Sequence, residues 1–185
     1  MNAVLTSTLR VYDDADPARM LLDTTDRAEI TRTLNGVGVR FERWAADAAI
    51  ASDATPADVL AAYADDVARL RAECGYEAAD VIRLAKGAPN TAPMREKFLD
   101  EHTHSEDEVR FFVEGSGAFY LRIGGRVHQM ICTRGDLISV PAGTTHWFDM
   151  GPDPEFTAIR LFTDASGWVA QFTGDPIARR FPLYE

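Results

Sequence analysis

From about residue 90 onward, glycine and proline cut the chain into short, regular pieces, and this punctuation restricts the fold more than any other feature. Glu108 to Glu114 reads as a strand ended by Gly115-Ser116-Gly117. Ala118 to Ile123 is the next, and Gly124-Gly125 is a two-residue hairpin signal leading into Arg126 to Cys132. Thr133-Arg134-Gly135-Asp136 turns the chain into Leu137 to Val140, and Pro141-Ala142-Gly143 turns it again before Thr145 to Met150. Phe156 to Thr163 closes the series. Consecutive short strands with turn residues between them predict a mainly β fold, an antiparallel sandwich or barrel of jelly-roll type, with small helices packed outside.

Those helices belong to the first half. Thr25-Asp26 can cap a short helix whose apolar face includes Ile30 and Leu34 and which ends at Asn35-Gly36. Gly38 to Trp44 alternates like a strand, with Val39, Phe41 and Arg43 on one face. Thr55-Pro56 is a good N-cap and first-turn pair. Val59, Leu60, Tyr63, Val67 and Leu70 then repeat at helical spacing until Gly75. A second helix is expected over Ala78 to Lys86, with Gly87 as its stop. No repeat or linker marks a boundary, so the 185 residues are expected to form a single domain, 1–185. Within it, a helical elaboration covers about 20–90 and a barrel core about 90–165.

Charge and composition exclude several partners. Nineteen basic against 29 acidic side chains give a net charge of −10, which repels phosphate backbones and argues against nucleic acid. No apolar run approaches the ~20 residues that span a bilayer. The segment Met1-Asn2-Ala3-Val4-Leu5-Thr6-Ser7-Thr8 lacks the basic start and apolar core of a signal peptide, so a cytoplasmic protein is expected. Nothing demands an interface, and a monomer is the expected state. Cys74 and Cys132 have no CxxC spacing and are expected to be two separate buried thiols.

The chemistry is carried by His102-x-His104-x-x-x-Glu108 and by His146 in Pro141-Ala142-Gly143-Thr144-Thr145-His146. His102, His104 and Glu108 share parity, so on extended backbone their side chains point to one face. On a helix, His102 and His104 would point about 200° apart. Three imidazoles and a carboxylate, with coordination positions left over, suit iron, nickel or manganese acting on a substrate. The expectation is one such ion per chain. His128, the remaining histidine, lies just past the Gly124-Gly125 turn without a partner motif and reads as structural or solvent-facing.

These two patterns, with Gly115 following the first and Gly135 preceding the second, resemble the motifs of the cupin superfamily, although Met150 stands where cupins usually carry asparagine. Longer strings sharpen the likeness. Phe98, Glu101-His102-Thr103-His104, Asp107-Glu108-Val109-Arg110-Phe111 and Gly143-Thr144-Thr145-His146-Trp147-Phe148-Asp149 resemble the acireductone dioxygenases of methionine salvage. So do Gly38 to Trp44 and Ile159-Arg160-Leu161-Phe162. The likeness spans almost the whole chain and is weakest from Ala45 to about Asn90.

The resemblance implies a small-molecule substrate, acireductone (1,2-dihydroxy-3-keto-5-methylthiopentene), bound as a dianion, with O₂ as co-substrate. It implies Fe²⁺ or Ni²⁺ as cofactor. The iron form would give formate and 4-methylthio-2-oxobutanoate; the nickel form would give carbon monoxide, formate and 3-methylthiopropanoate. Arg110 shares the ligands' parity and matches an arginine that stabilises the dianion. Arg160 is similar to a second family arginine near the substrate. Phe98, Phe148 and Trp168 match aromatics that wall the thioether tail. Glu101 and Asp107, at opposite parity, should point away from the ion. The resemblance links the first to metal incorporation and the second to conformational communication; as residues, both also suit solvated or ligand-supporting carboxylates. The same four ligands would also serve a dioxygenase for another enediol or a flavonoid, a sugar isomerase, or a non-enzymatic small-molecule-binding cupin.

Overall fold

The computed structural model describes residues 5–164, 166 and 169–185. Strands β1 (Thr8–Asp13) and β2 (Met20–Thr24) form an antiparallel pair. Helix α1 (Arg27–Gly36) begins where the Asp26 carboxylate accepts the Glu29 N–H, and it buries Ile30 and Leu34, as its spacing predicts. Strand β3 (Arg40–Arg43) follows.

The expected long helix after Thr55 is two helices. Thr55 and Asp58 form a reciprocal capping box at the start of α2 (Pro56–Ala62). Tyr63, at φ −118° and ψ 28°, breaks the helix, and α3 (Ala64–Cys74) resumes until Gly75 in the left-handed region. The break leaves the Val59, Tyr63, Val67 and Leu70 stripe intact on one buried side.

Ala78–Leu84 is strand β4, not the helix expected over Ala78 to Lys86. It pairs with the later strand β10 (Phe156–Phe162), from Ala78 opposite Phe162 to Leu84 opposite Phe156. A full ladder on a free sheet edge outweighs the helix preference of Ala78 and Ala79, and Val81 and Ile82 favour a strand. Helix α4 (Thr91–Phe98) was not foreseen among the strands expected after Asn90.

The rest is strand. β5 (His102–Thr103), β6 (Glu108–Ile123), β7 (Arg126–Thr133), β8 (Asp136–Val140), β9 (Thr145–Asp149), β10 and β11 (Gln171–Phe172) follow, and a 3-10 turn over Pro176–Arg180 ends the elements. The strand order β11-β5-β9-β6-β7-β1-β2 makes one side of the barrel. On the other side β6 pairs with β8 and β10, β8 with β3, and β10 with β4.

Gly115-Ser116-Gly117 does not end a strand: β6 runs 16 residues through it. Thr157 faces Glu114 while Ala158 faces Phe112, so a bulge falls at Val113 and the strand crosses from one sheet to the other. Gly115 has φ +66°, and a Cβ there would sit 1.8 Å from the Glu155 carbonyl oxygen. A Cβ on Gly117 would meet the Phe148 ring at 2.4 Å. These glycines permit a close crossing rather than a turn.

Three apolar layers result. Phe112, Phe119, Phe148 and Phe156 fill the barrel with Leu9, Leu34 and Met150. Outside it, α2 and α3 set Val59, Tyr63, Val67 and Leu70 against Phe111, Val113, Ile159 and Leu161. The C-terminal segment sets Ile177 and Phe181 against Tyr12, Tyr120 and Trp147. With both faces covered, β6 to β10 are buried almost throughout. No helix among the described residues is long and apolar enough to cross a membrane.

Candidate metal centre

At one end of the barrel, His102, His104, Glu108 and His146 are all buried, and one ligand atom from each lies within 4.8 Å of the others. His102 on β5 stands directly opposite His146 on β9, and His146 in turn lies beside Leu121 of β6. His102 and His104 alternate on extended chain, as their spacing requires. Glu108 arrives by a different route. Residues 105–107 bend, and Glu108 opens β6 rather than continuing β5. The bend is fixed from both sides: the Gly143 N–H donates to the His104 carbonyl at 2.9 Å, and the Ala142 N–H donates to Asp107 Oδ1 at 2.9 Å. Glu106 Oε2 accepts from the Thr163 and Asp164 amides.

The donor chemistry fits a cation. His102 Nδ1 lies 2.7 Å from the Asp100 carbonyl oxygen, and His146 Nδ1 lies 2.8 Å from that of Thr144. A carbonyl only accepts, so each Nδ1 carries a proton, which leaves Nε2 as the nitrogen through which each ring can ligate. Yet His146 Nε2 is 2.8 Å from Glu108 Oε2, and His104 Nε2 is 3.4 Å from it. Lone pairs this close call for a positive charge shared among them. Burial, helped by the neighbouring His146, lowers the His102 pKa to about 4, so the ring is neutral and able to ligate at physiological pH. Burial alone would raise the Glu108 carboxyl, but the Arg110 guanidinium together with His104 and His146 outweighs it and holds the group well below the ordinary range.

Arg110 is buried on the same face of β6, with Nη2 2.7 Å from Glu108 Oε1. Its guanidinium lies over the rings of Phe148 at 4.4 Å and Phe119 at 5.0 Å. Its Nε and Nη1 have no hydrogen-bond partner. Burial lowers its pKa against the pull of Glu108, but an arginine starts high enough to remain a cation. Arg160 on β10 stands opposite Arg110 and also opposite Asp80 on β4. Its guanidinium grips Asp80 bidentately, with Nε 2.7 Å from Oδ1 and Nη2 on Oδ2. Asp80 was missed because its segment reads as helix; recognised as a strand paired with β10, it would have been placed beside Arg160.

His102, His104, Glu108 and Arg110 line a cavity of about 480 Å³, with Phe98, Phe148 and Arg160 in its wall and Lys97, Val169, Ala170 and Phe172 around it. The Phe98 and Phe148 rings meet edge-on at 6.5 Å. Trp168 lies outside the described residues. A larger depression, about 680 Å³, sits elsewhere between Arg83, Glu114, Gly151 and Tyr184, without imidazole or thiol groups. Glu101 is buried and turned from the ligands: Thr173 Oγ1 donates to its Oε1 at 2.8 Å, and Arg122 Nη1 lies 3.4 Å from its Oε2. Asp107 points to Ala142, also away from the ligands. His128 is fully buried rather than solvent-facing, with Nδ1 3.3 Å from the Leu121 carbonyl oxygen. Cys132 is buried as expected. Cys74 is exposed, because α3 ends there at the surface.

The profile of the ARD/ARD' family matches residues 8–170. The acireductone dioxygenase of Parvibaculum lavamentivorans is 62% identical over 177 residues, covering 96% of each chain. The chain belongs to the acireductone dioxygenase family. Another relative in that family, from Hahella chejuensis, is 55% identical over 97% of this chain and 96% of its own. A solved acireductone dioxygenase from Bacillus anthracis, with a cadmium ion in its active centre, superposes with a TM-score of 0.80 at 30% identity. That match covers 92% of this chain and all (100%) of the other, and it establishes the cupin-type fold.

Proposed function

We propose that the protein is an acireductone dioxygenase of methionine salvage, holding one Fe²⁺ or Ni²⁺ on His102, His104, Glu108 and His146. The observation that carries this reading is the convergence of these four groups beside a buried arginine with two unpartnered N–H-bearing nitrogens. The bound ion supplies Lewis-acid and redox chemistry to an enediol and O₂. The protein does the rest. The Asp100 and Thr144 carbonyls hold the His102 and His146 rings in the ligating tautomer.

Arg110 Nε and Nη1 donate to the oxygens of the doubly deprotonated substrate, whose charge is costly away from bulk water unless a cation faces it. Arg160, steadied by Asp80, lines the same cavity as a second cation. Phe98 and Phe148 wall the thioether tail and exclude water. In this reading the enzyme is a cytoplasmic monomer. Glu101 takes part in metal incorporation and Asp107 in conformational communication.

Iron-loaded protein should consume O₂ with synthetic acireductone and release formate and 4-methylthio-2-oxobutanoate. Stripped protein reloaded with nickel should release carbon monoxide, formate and 3-methylthiopropanoate. Absence of O₂ uptake with both metals would reject the reading; identical products from both would reject its metal-dependent part.

A further inference from the structure

β11 is only two residues long, but it completes the sheet beside the metal ligands, with Phe172 opposite His102 and Gln171 opposite Thr103. The Phe172 ring packs edge-on against the His102 imidazole, centroids 5.7 Å apart. Its other face is open: Phe172 is 50% exposed, and Val169, on the same cavity, is 69% exposed. Two of the few large apolar side chains left exposed among the described residues therefore stand at the mouth of one cavity. An aromatic ring on an edge strand is a liability unless something apolar covers it.

The position of β11 is fixed by more than its own ladder. The Thr173 N–H donates to the Glu101 carbonyl at 3.0 Å, and the Thr173 hydroxyl donates to the Glu101 carboxylate at 2.8 Å. Arg122 ties that carboxylate to Asp175 at 3.0 Å and to Asp14 at 3.3 Å. The residue before the first ligand and the residue after Phe172 are thus clamped together. We infer that Phe172 is a specificity-determining residue, held by the Thr173–Glu101 link at the open side of the metal group, where its exposed face receives the apolar tail of the substrate. This rests on the acireductone reading and names the side chain at the mouth that reads the tail, whereas Phe98 and Phe148 wall the interior.

The test compares acireductone carrying the methylthioethyl tail with an analogue carrying a methyl group in its place. Dissociation constants are measured under nitrogen and KM in air. In Phe172→Ala the preference for the tailed substrate should fall about tenfold, the scale of losing apolar contacts in a pocket, with bound metal retained. Phe172→Leu should restore most of it. Thr173→Val should lower the preference less, and amide hydrogen exchange at residues 171–173 of the metal-loaded protein should accelerate about tenfold as the strand loosens. An unchanged preference in Phe172→Ala, or equal weakening of both substrates, overturns the proposal while leaving the acireductone reading standing. Unchanged exchange in Thr173→Val overturns the link. Failure of the wild type to bind or turn over either substrate would remove the acireductone reading and this inference together.

Discussion

The first residues of β6 serve two regions at once. Glu108, Arg110 and Phe112 point into the barrel, where the first two stand among His102, His104 and His146. Val109, Phe111 and Val113 point outward, beneath α2 and α3, against Val59, Tyr63, Val67 and Leu70. Both sides are equally buried. The inner one holds charge that each neighbour helps to stabilise, and the outer one holds only apolar area. Alternation along a single strand therefore separates chemistry from stability, so a substitution on one face should leave the other's property largely intact.

His146→Ala should show this separation most visibly. It should abolish turnover and most metal binding while the circular dichroism spectrum stays as in the wild type. A collapsed spectrum would show that the inner face also carries the fold. Arg110→Ala comes next, with a rate loss on the order of 10²–10³, the scale of one preorganised electrostatic group. Metal should be retained, but substrate mixed with it under nitrogen should no longer show the ultraviolet spectrum of the dianion. Normal dianion formation would make Arg110 structural and move its task to Arg160.

On the outer face, Leu70→Ala removes a side chain that is 1% exposed. It should cost about 2–5 kcal/mol in denaturant unfolding, with the rate per folded molecule unchanged. The smallest effect should come from His128, which faces the same interior as His146 from the other side of Leu121 but lies outside the His102, His104, Glu108 and His146 group. Burial depresses its pKa below 6.5, against the pull of the Leu121 carbonyl. The unfolded chain therefore takes up a proton first as pH falls. The stability that neutral His128 contributes is present above about pH 6.5 and is lost as pH drops toward its folded value. In metal-free protein, His128→Gln should make unfolding less pH-dependent below that point; an unchanged slope would show that His128 does not titrate on unfolding.

What could be read from sequence follows the range of the interactions. The ligand spacing was legible because each imidazole sits on a local extended segment, and α1 because Asp26, Ile30 and Leu34 lie within a few turns of chain. β4 was misread because its ladder with β10 joins residues about 80 positions apart, and no local pattern records that pairing. Asp80 was lost with it. Gly115-Ser116-Gly117 has the composition of a turn, yet the glycines serve close contacts with Glu155 and Phe148. β11 is too short to show any period, so Phe172 could not be singled out. Parity gave the right facing for Glu108 although the bend at 105–107 interrupts the strand it assumed.

This buried His₃Glu group makes the protein a metal-dependent dioxygenase. The most direct measurement is oxygen uptake with acireductone by chelator-stripped protein, before and after one equivalent of Fe²⁺ is added. No enzymatic uptake should occur before addition, and activity should recover fully at one ion per chain. Full activity in the stripped protein, or none after loading, would contradict it.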